Sequence, residues 1–138
     1  MQTVRIEEFG AHVGEAVRVC GWIHNKRSSG KLQFVIVRDG SGYAQAVVSK
    51  KAIAPEAWDA LLGAGQESSL ELEGSVRADA RAPGGYEIDA TGATVLQSVH
   101  DYPITPKEHG TAFLMEQRHL WLRSARQHAI ARVRHTVV

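Results

Sequence analysis

The sequence predicts an all-β domain, a Greek-key barrel of five strands with one helix between the third and fourth, followed by a hinge and a C-terminal α-helix. Three observations carry this. Runs rich in β-branched and aromatic residues recur through the first hundred positions, Gly, Pro, Asp and Ser clusters separate them, and a single segment of helical periodicity interrupts the series.

Ile6, Phe9 and Val13 are spaced for a short amphipathic helix that Gly14 ends. Residues 16–25 form the first strand, and the stretch from Lys26 to Lys31 reads as a hairpin loop. Leu32 to Arg38 is the second strand. Asp39-Gly40-Ser41-Gly42 supplies a turn, and Tyr43 to Ser49 resumes the strand pattern. Pro55 fits a first helical turn, Trp58, Leu61 and Leu62 give that helix an apolar face, and Gly63 and Gly65 stop it. Ser69 to Ala78 alternates apolar and polar residues, Pro83-Gly84-Gly85 turns the chain, and Tyr86 to Leu96 is the fifth strand. This order matches the OB-fold barrel, whose second and third strands bind nucleic acid.

From about Ser98 the periodicity lapses, and Pro103 and Pro106 stiffen the segment into a hinge. Beyond it Leu122, Ala125, Ala129, Ile130, Val133 and Val137 recur at helical spacing. The helix lacks a closing Gly or Asn before Val138, which suggests a polypeptide that continues. The expected organisation is a barrel over 1–98, a hinge over 99–113 and the start of a second domain over 114–138.

The 138 residues carry a net charge of +1, which argues neither for nor against a polyanionic partner, although the residues after Glu116 include five arginines and no acidic group. No stretch approaches the roughly 20 apolar residues that span a bilayer, and Glu7 and Glu8 stand where a signal peptide needs an apolar core. With Cys20 as the one cysteine there is no intrachain disulfide, and a reducing cytoplasm fits best. Cys20 itself reads as a small buried hydrophobe. The histidines show no zinc or triad spacing, and Gly30-Lys31 is not a phosphate-binding loop, because Asn25 and Leu32 stand where that motif needs glycine and a hydroxyl.

Three segments, GWIHNKRSSGKLQFVIVRDGSGYAQAVV from Gly21, QESSLELEGSVRADARAPGGYEI from Gln66 and DYPITPKEHGTAFLMEQRHLWLRS from Asp101, together resemble the asparaginyl-tRNA synthetases. These belong to the class II subclass that also holds the aspartyl and lysyl enzymes. The resemblance runs nearly end to end. It implies that residues 1–98 read a tRNA anticodon, GUU for asparagine, and that residues 114–138 resemble the start of the motif-1 helix of a catalytic domain that dimerises. The ATP-site motifs 2 and 3 are not among these residues. ATP and Mg²⁺ are therefore expected of the full-length enzyme, with no cofactor for residues 1–138, which should not aminoacylate alone. The aspartyl branch shares the barrel and remains an alternative, as does a free-standing nucleic-acid-binding barrel.

An anticodon loop presents unstacked bases, so its reader needs an aromatic platform, polar side chains for base edges and cations for phosphates. Phe34 matches the family's stacking phenylalanine. Alternation places Leu32, Phe34 and Ile36 on one face, yet Val35 and Val37 are apolar too, so the pattern leaves open which face is outside. Gln45, between Ala44 and Ala46, matches the family's base-reading glutamine, and an amide can donate and accept at one base edge. Glu87 resembles the family carboxylate on the last strand. Lys26, Arg27 and Lys31 flank Ser28-Ser29-Gly30 in the expected loop, where Ser29 and the cations can follow a phosphate backbone.

Overall fold

The computed structural model describes residues 1–138, which divide into two compact units, Met1–Asp101 and Tyr102–Val138. The first unit holds β1 (Gln2–Thr3), a 3₁₀ helix (Ile6–Ala11), β2 (Ala16–Ser29), β3 (Leu32–Arg38), β4 (Tyr43–Ser49), α1 (Pro55–Gly63), β5 (Ser69–Ala78) and β6 (Tyr86–Gln97). The sheet runs β1-β2-β3-β4-β6-β5, and β5 also pairs with β2, so β2 to β6 close on themselves. Within the barrel β4 and β6 are parallel and the remaining pairs antiparallel. This is the five-stranded barrel with a helix between its third and fourth strands that the sequence predicts.

Alternation fills the interior. Val17, Val19 and Ile23 of β2, Val35 and Val37 of β3, Ala46 and Val48 of β4, Leu70 and Leu72 of β5 and Ile88 of β6 are buried, and Trp58 and Leu61 of α1 join them. Leu61 has no exposed surface, so trimming it to alanine would cost about 2–5 kcal/mol. α1 starts at Pro55, whose missing N–H is no loss at a first helical turn. The Asp39 side chain ties the 3₁₀ helix to the β3–β4 turn. Its carboxylate accepts from the backbone N–H of Ile6 (2.8 Å), Ser41 (2.9 Å) and Gly42 (3.2 Å) and from the Ser41 hydroxyl (2.7 Å).

Three local expectations are corrected. Residues 26–29 are not loop: β2 continues to Ser29, with Lys26 opposite Val35 and Arg27 opposite Phe34, leaving a two-residue turn at Gly30 and Lys31. Gly30, at φ 59°, takes the left-handed conformation that such a turn requires. Cys20 is exposed, because Val19 and Gly21 on either side point inward and strand neighbours face opposite ways. Val13 is also exposed and lies beyond the 3₁₀ helix, which buries only Ile6 and Phe9.

In the second unit α2 (Thr111–Glu116), a 3₁₀ turn (Trp121–Arg123) and α3 (Ala125–Val137) follow one another. α2 begins within the expected hinge, and Leu122 lies in the 3₁₀ turn rather than in α3. The backbone N–H of Thr105 donates to His109 Nε2 (3.0 Å), the His109 ring stacks on Phe113 at 4.8 Å, and the Arg118 guanidinium lies 3.9 Å over Trp121.

Candidate nucleic-acid interface

The face question left open by β3 has a definite answer. Gln33, Val35 and Val37 point into the barrel, so Leu32, Phe34 and Ile36 point out, and Phe34 is half-buried on the outer surface. On β4 the inward residues are Ala44, Ala46 and Val48, which puts Gln45 and Val47 outside. Registers then set a row across all five barrel strands, with a step of two residues along β4 from Val47 to Gln45. Arg27 on β2 opposes Phe34 on β3, Phe34 opposes Val47 on β4, Gln45 on β4 opposes Glu87 on β6, and Glu87 opposes Arg77 on β5.

These side chains line one open cleft of about 440 Å³ together with Leu32, Asp79, Arg81 and Ala82. At one end the Arg27 guanidinium stands 4.5 Å over the Phe34 ring centroid, a cation–π contact. At the other the Gln45 Nε2 donates to Glu87 Oε2 (3.0 Å), and Arg77 Nη2 donates to Glu87 Oε1. Arg77 also reaches Asp89 at 3.4 Å. Its hydrogen bond to Glu87 and the nearby acids raise its pKa further above the ordinary arginine value. Glu87 is only 2% exposed, whereas the Arg77 side chain is 53% exposed, so the outer edge of that carboxylate is roofed by a half-exposed cation. Asp79 accepts from the backbone and guanidinium of Arg81, and these bonds lower its pKa. Gly84 and Gly85, at φ 74° and 83°, make the turn that returns the chain to β6 beside this rim.

Phe34, Gln45, Glu87 and Arg27 are thus brought together, and Ser29 and Lys31 sit at the exposed tip of the β2–β3 hairpin without lining the cleft. Lys26 does not belong with them. It leaves β2 on the opposite face to Arg27, and its Nζ donates to the carbonyl oxygens of Leu61 (2.6 Å), Leu62 (2.9 Å) and Ala64 (2.5 Å). Burial lowers its pKa. A lysine spent on backbone carbonyls is not a phosphate contact, and this corrects its expected role. Arg77, Asp79 and Arg81 escaped the sequence reading because nothing local shows that Arg77 falls opposite Glu87. The alternation of β5, with Leu70, Leu72 and Val76 inward, was the available signal that Arg77 points out.

A closed five-stranded barrel with a ring, a guanidinium, an amide and a carboxylate aligned on its outer face is built like the OB barrels that hold nucleic acid. The chain belongs to the OB-fold nucleic acid binding domain family, whose model matches residues 17–96. It is 54% identical over 136 residues to the asparagine–tRNA ligase of Koribacter versatilis, covering 96% of this chain and 31% of that protein. Against the asparagine–tRNA ligase of Chloroflexus aurantiacus identity is 48% over the full chain, again 31% of the relative. The structure superimposes on the asparaginyl-tRNA synthetase of Pyrococcus horikoshii complexed with asparaginyl-adenylate with a TM-score of 0.86 at 36% identity, over 97% of this chain and 32% of that one. The chain therefore spans about a third of the length of these relatives. No helix is long and apolar enough to cross a membrane.

Proposed function

We propose that this chain reads the anticodon of asparagine tRNA as the barrel-bearing part of a cytoplasmic, homodimeric asparagine–tRNA ligase. The observation that carries the reading is that Arg27, Phe34, Gln45, Glu87 and Arg77 line one cleft on the outer face, in a chain about half identical to asparagine–tRNA ligases. The Phe34 ring, half-buried on the outer face, receives one unstacked base by stacking. Gln45 and Glu87 offer a donor, an acceptor and a carboxylate to a base edge within reach of that ring. Arg27 and Arg77, held over the ring and over Glu87 in the free barrel, turn to the phosphates that accompany the bases. Ser29 and Lys31 meet the backbone at the hairpin tip.

ATP and Mg²⁺ serve ligation in the whole protein. No group of three or more His, Cys, Asp or Glu side chains is placed here to hold a metal ion, and no residue of this chain is assigned to either. The test is direct: RNA hairpins with GUU, GUC and scrambled loops compete for the purified chain. Preference for GUU supports the reading, preference for GUC moves the chain to the aspartyl branch, and equal binding to all three contradicts anticodon reading.

A further inference from the structure

The half-hairpin that carries Arg27 stands partly apart from the barrel. β2 pairs with β5 only from Ala16 to Trp22, its register on β3 shifts between Ile23 and Asn25, and residues 25–29 then have β3 as their strand neighbour. The inner face of this half is poorly apolar. It presents Lys26 opposite Val35 and Ser28, itself exposed, opposite Gln33, and the Gln33 amide is wholly buried with no hydrogen-bond partner on either its nitrogen or its oxygen. Hydrophobic packing therefore contributes little to holding the segment down.

Lys26 supplies the attachment. Its ammonium meets the carbonyls of Leu61, Leu62 and Ala64, and all three of its donors are used. Carbonyls at a helix end lack intrahelical donors, and the negative end of the helix dipole favours a cation there. Successive strand residues point to opposite faces, so the height at which Lys26 is tied inside sets where Arg27 emerges outside.

We propose that Lys26 is a positioning residue for nucleic-acid binding, pinning the far half of β2 to the C-terminal end of α1 and so setting where Arg27 emerges beside the Phe34 ring. The proposal rests on the reading of the outer face given above. Lys26→Met keeps the length of the side chain and removes its donors, and Lys26→Gln provides a second variant.

The test uses the chain of 138 residues and an RNA hairpin with a GUU loop, with Lys26→Met made alone, with Arg27→Ala, and compared with Arg27→Ala alone. Lys26→Met is expected to weaken binding about fivefold in the wild-type background and less than about twofold beside Arg27→Ala, because the two residues act in series. An equal loss in both backgrounds overturns the proposal. Amide hydrogen exchange, read without RNA, should quicken at residues 25–29 and 32–36 in both Lys26 variants and stay unchanged in β5 and β6. Unchanged exchange in the hairpin overturns the proposal too, as does global unfolding of both variants, which would make Lys26 a support of the whole barrel. If wild type fails to bind the hairpin while exchange loosens as expected, the functional reading falls and the anchoring by Lys26 stands.

Discussion

Gln45 and Glu87 lie on parallel strands at the same register, and the Gln45 amide donates to Glu87 Oε2 across 3.0 Å. The pair is preorganised: the bond fixes which way the amide faces, and Arg77 holds the other carboxylate oxygen. A base edge that reaches it meets groups whose directions are already set. On the proposed reading, binding exchanges one set of hydrogen bonds for another, and a base with the wrong edge leaves a buried polar group unpaired.

Gln45→Ala and Glu87→Ala should each narrow the preference for a GUU loop over a scrambled one, by about tenfold if one charge-assisted bond is lost. Competition binding with the two hairpins measures it. Full discrimination retained by both variants would take the pair out of base reading.

Arg27→Ala should flatten the dependence of RNA affinity on salt. Each phosphate contact to single-stranded nucleic acid contributes about −0.7 to the log–log slope. Lys31→Ala at the hairpin tip tests the second cation in the same titration. Slopes equal to wild type for both would take the β2–β3 hairpin out of the interface.

Asp39 makes the fold acid-sensitive at one identifiable place. Burial pushes its carboxyl pKa up, but the bonds from Ile6, Ser41 and Gly42 outweigh burial and leave it below the ordinary value. A depressed folded pKa stabilises the protein above the unfolded value of about 3.9 and loses that contribution as pH falls through the folded one. Thermal melts of wild type should therefore fall more steeply below about pH 4 than those of Asp39→Asn. Parallel curves would contradict the assignment.

Much of the barrel was legible because strand, turn and helix signals agreed along the chain. Pro83-Gly84-Gly85 fell in the β5–β6 turn, and Pro55 began α1. The face of β3 was not legible, since five of its seven residues are apolar and the amide that looks most suited to water, Gln33, is the one buried. The β2–β3 hairpin was misread for a related reason: Lys-Arg-Ser-Ser looks like a loop, and only pairing with β3 and the reach of Lys26 to α1 make it strand. Arg77 was hidden by register, which depends on a bulge between Glu73 and Gly74 that no local pattern announces.

Phe34 is proposed as a platform for a base and not as part of the core, and one substitution separates the two. Phe34 lies outside the buried cluster, on the outer face, with Arg27 over its ring. Loss of a buried phenylalanine typically costs about 3–5 kcal/mol, enough to unfold many domains of this size. Loss of a platform on the outer face removes one base stack, about 1–3 kcal/mol, or roughly five- to 150-fold in affinity. Phe34→Tyr keeps the stacking face and needs no buried partner for its hydroxyl. The measurement is thermal denaturation and anticodon-hairpin binding for wild type, Phe34→Ala and Phe34→Tyr. Nearly unchanged melting is expected for all three, with binding lost in Phe34→Ala and kept in Phe34→Tyr. A collapse in the melting temperature of Phe34→Ala, with binding lost only in proportion to unfolded protein, would contradict the platform role.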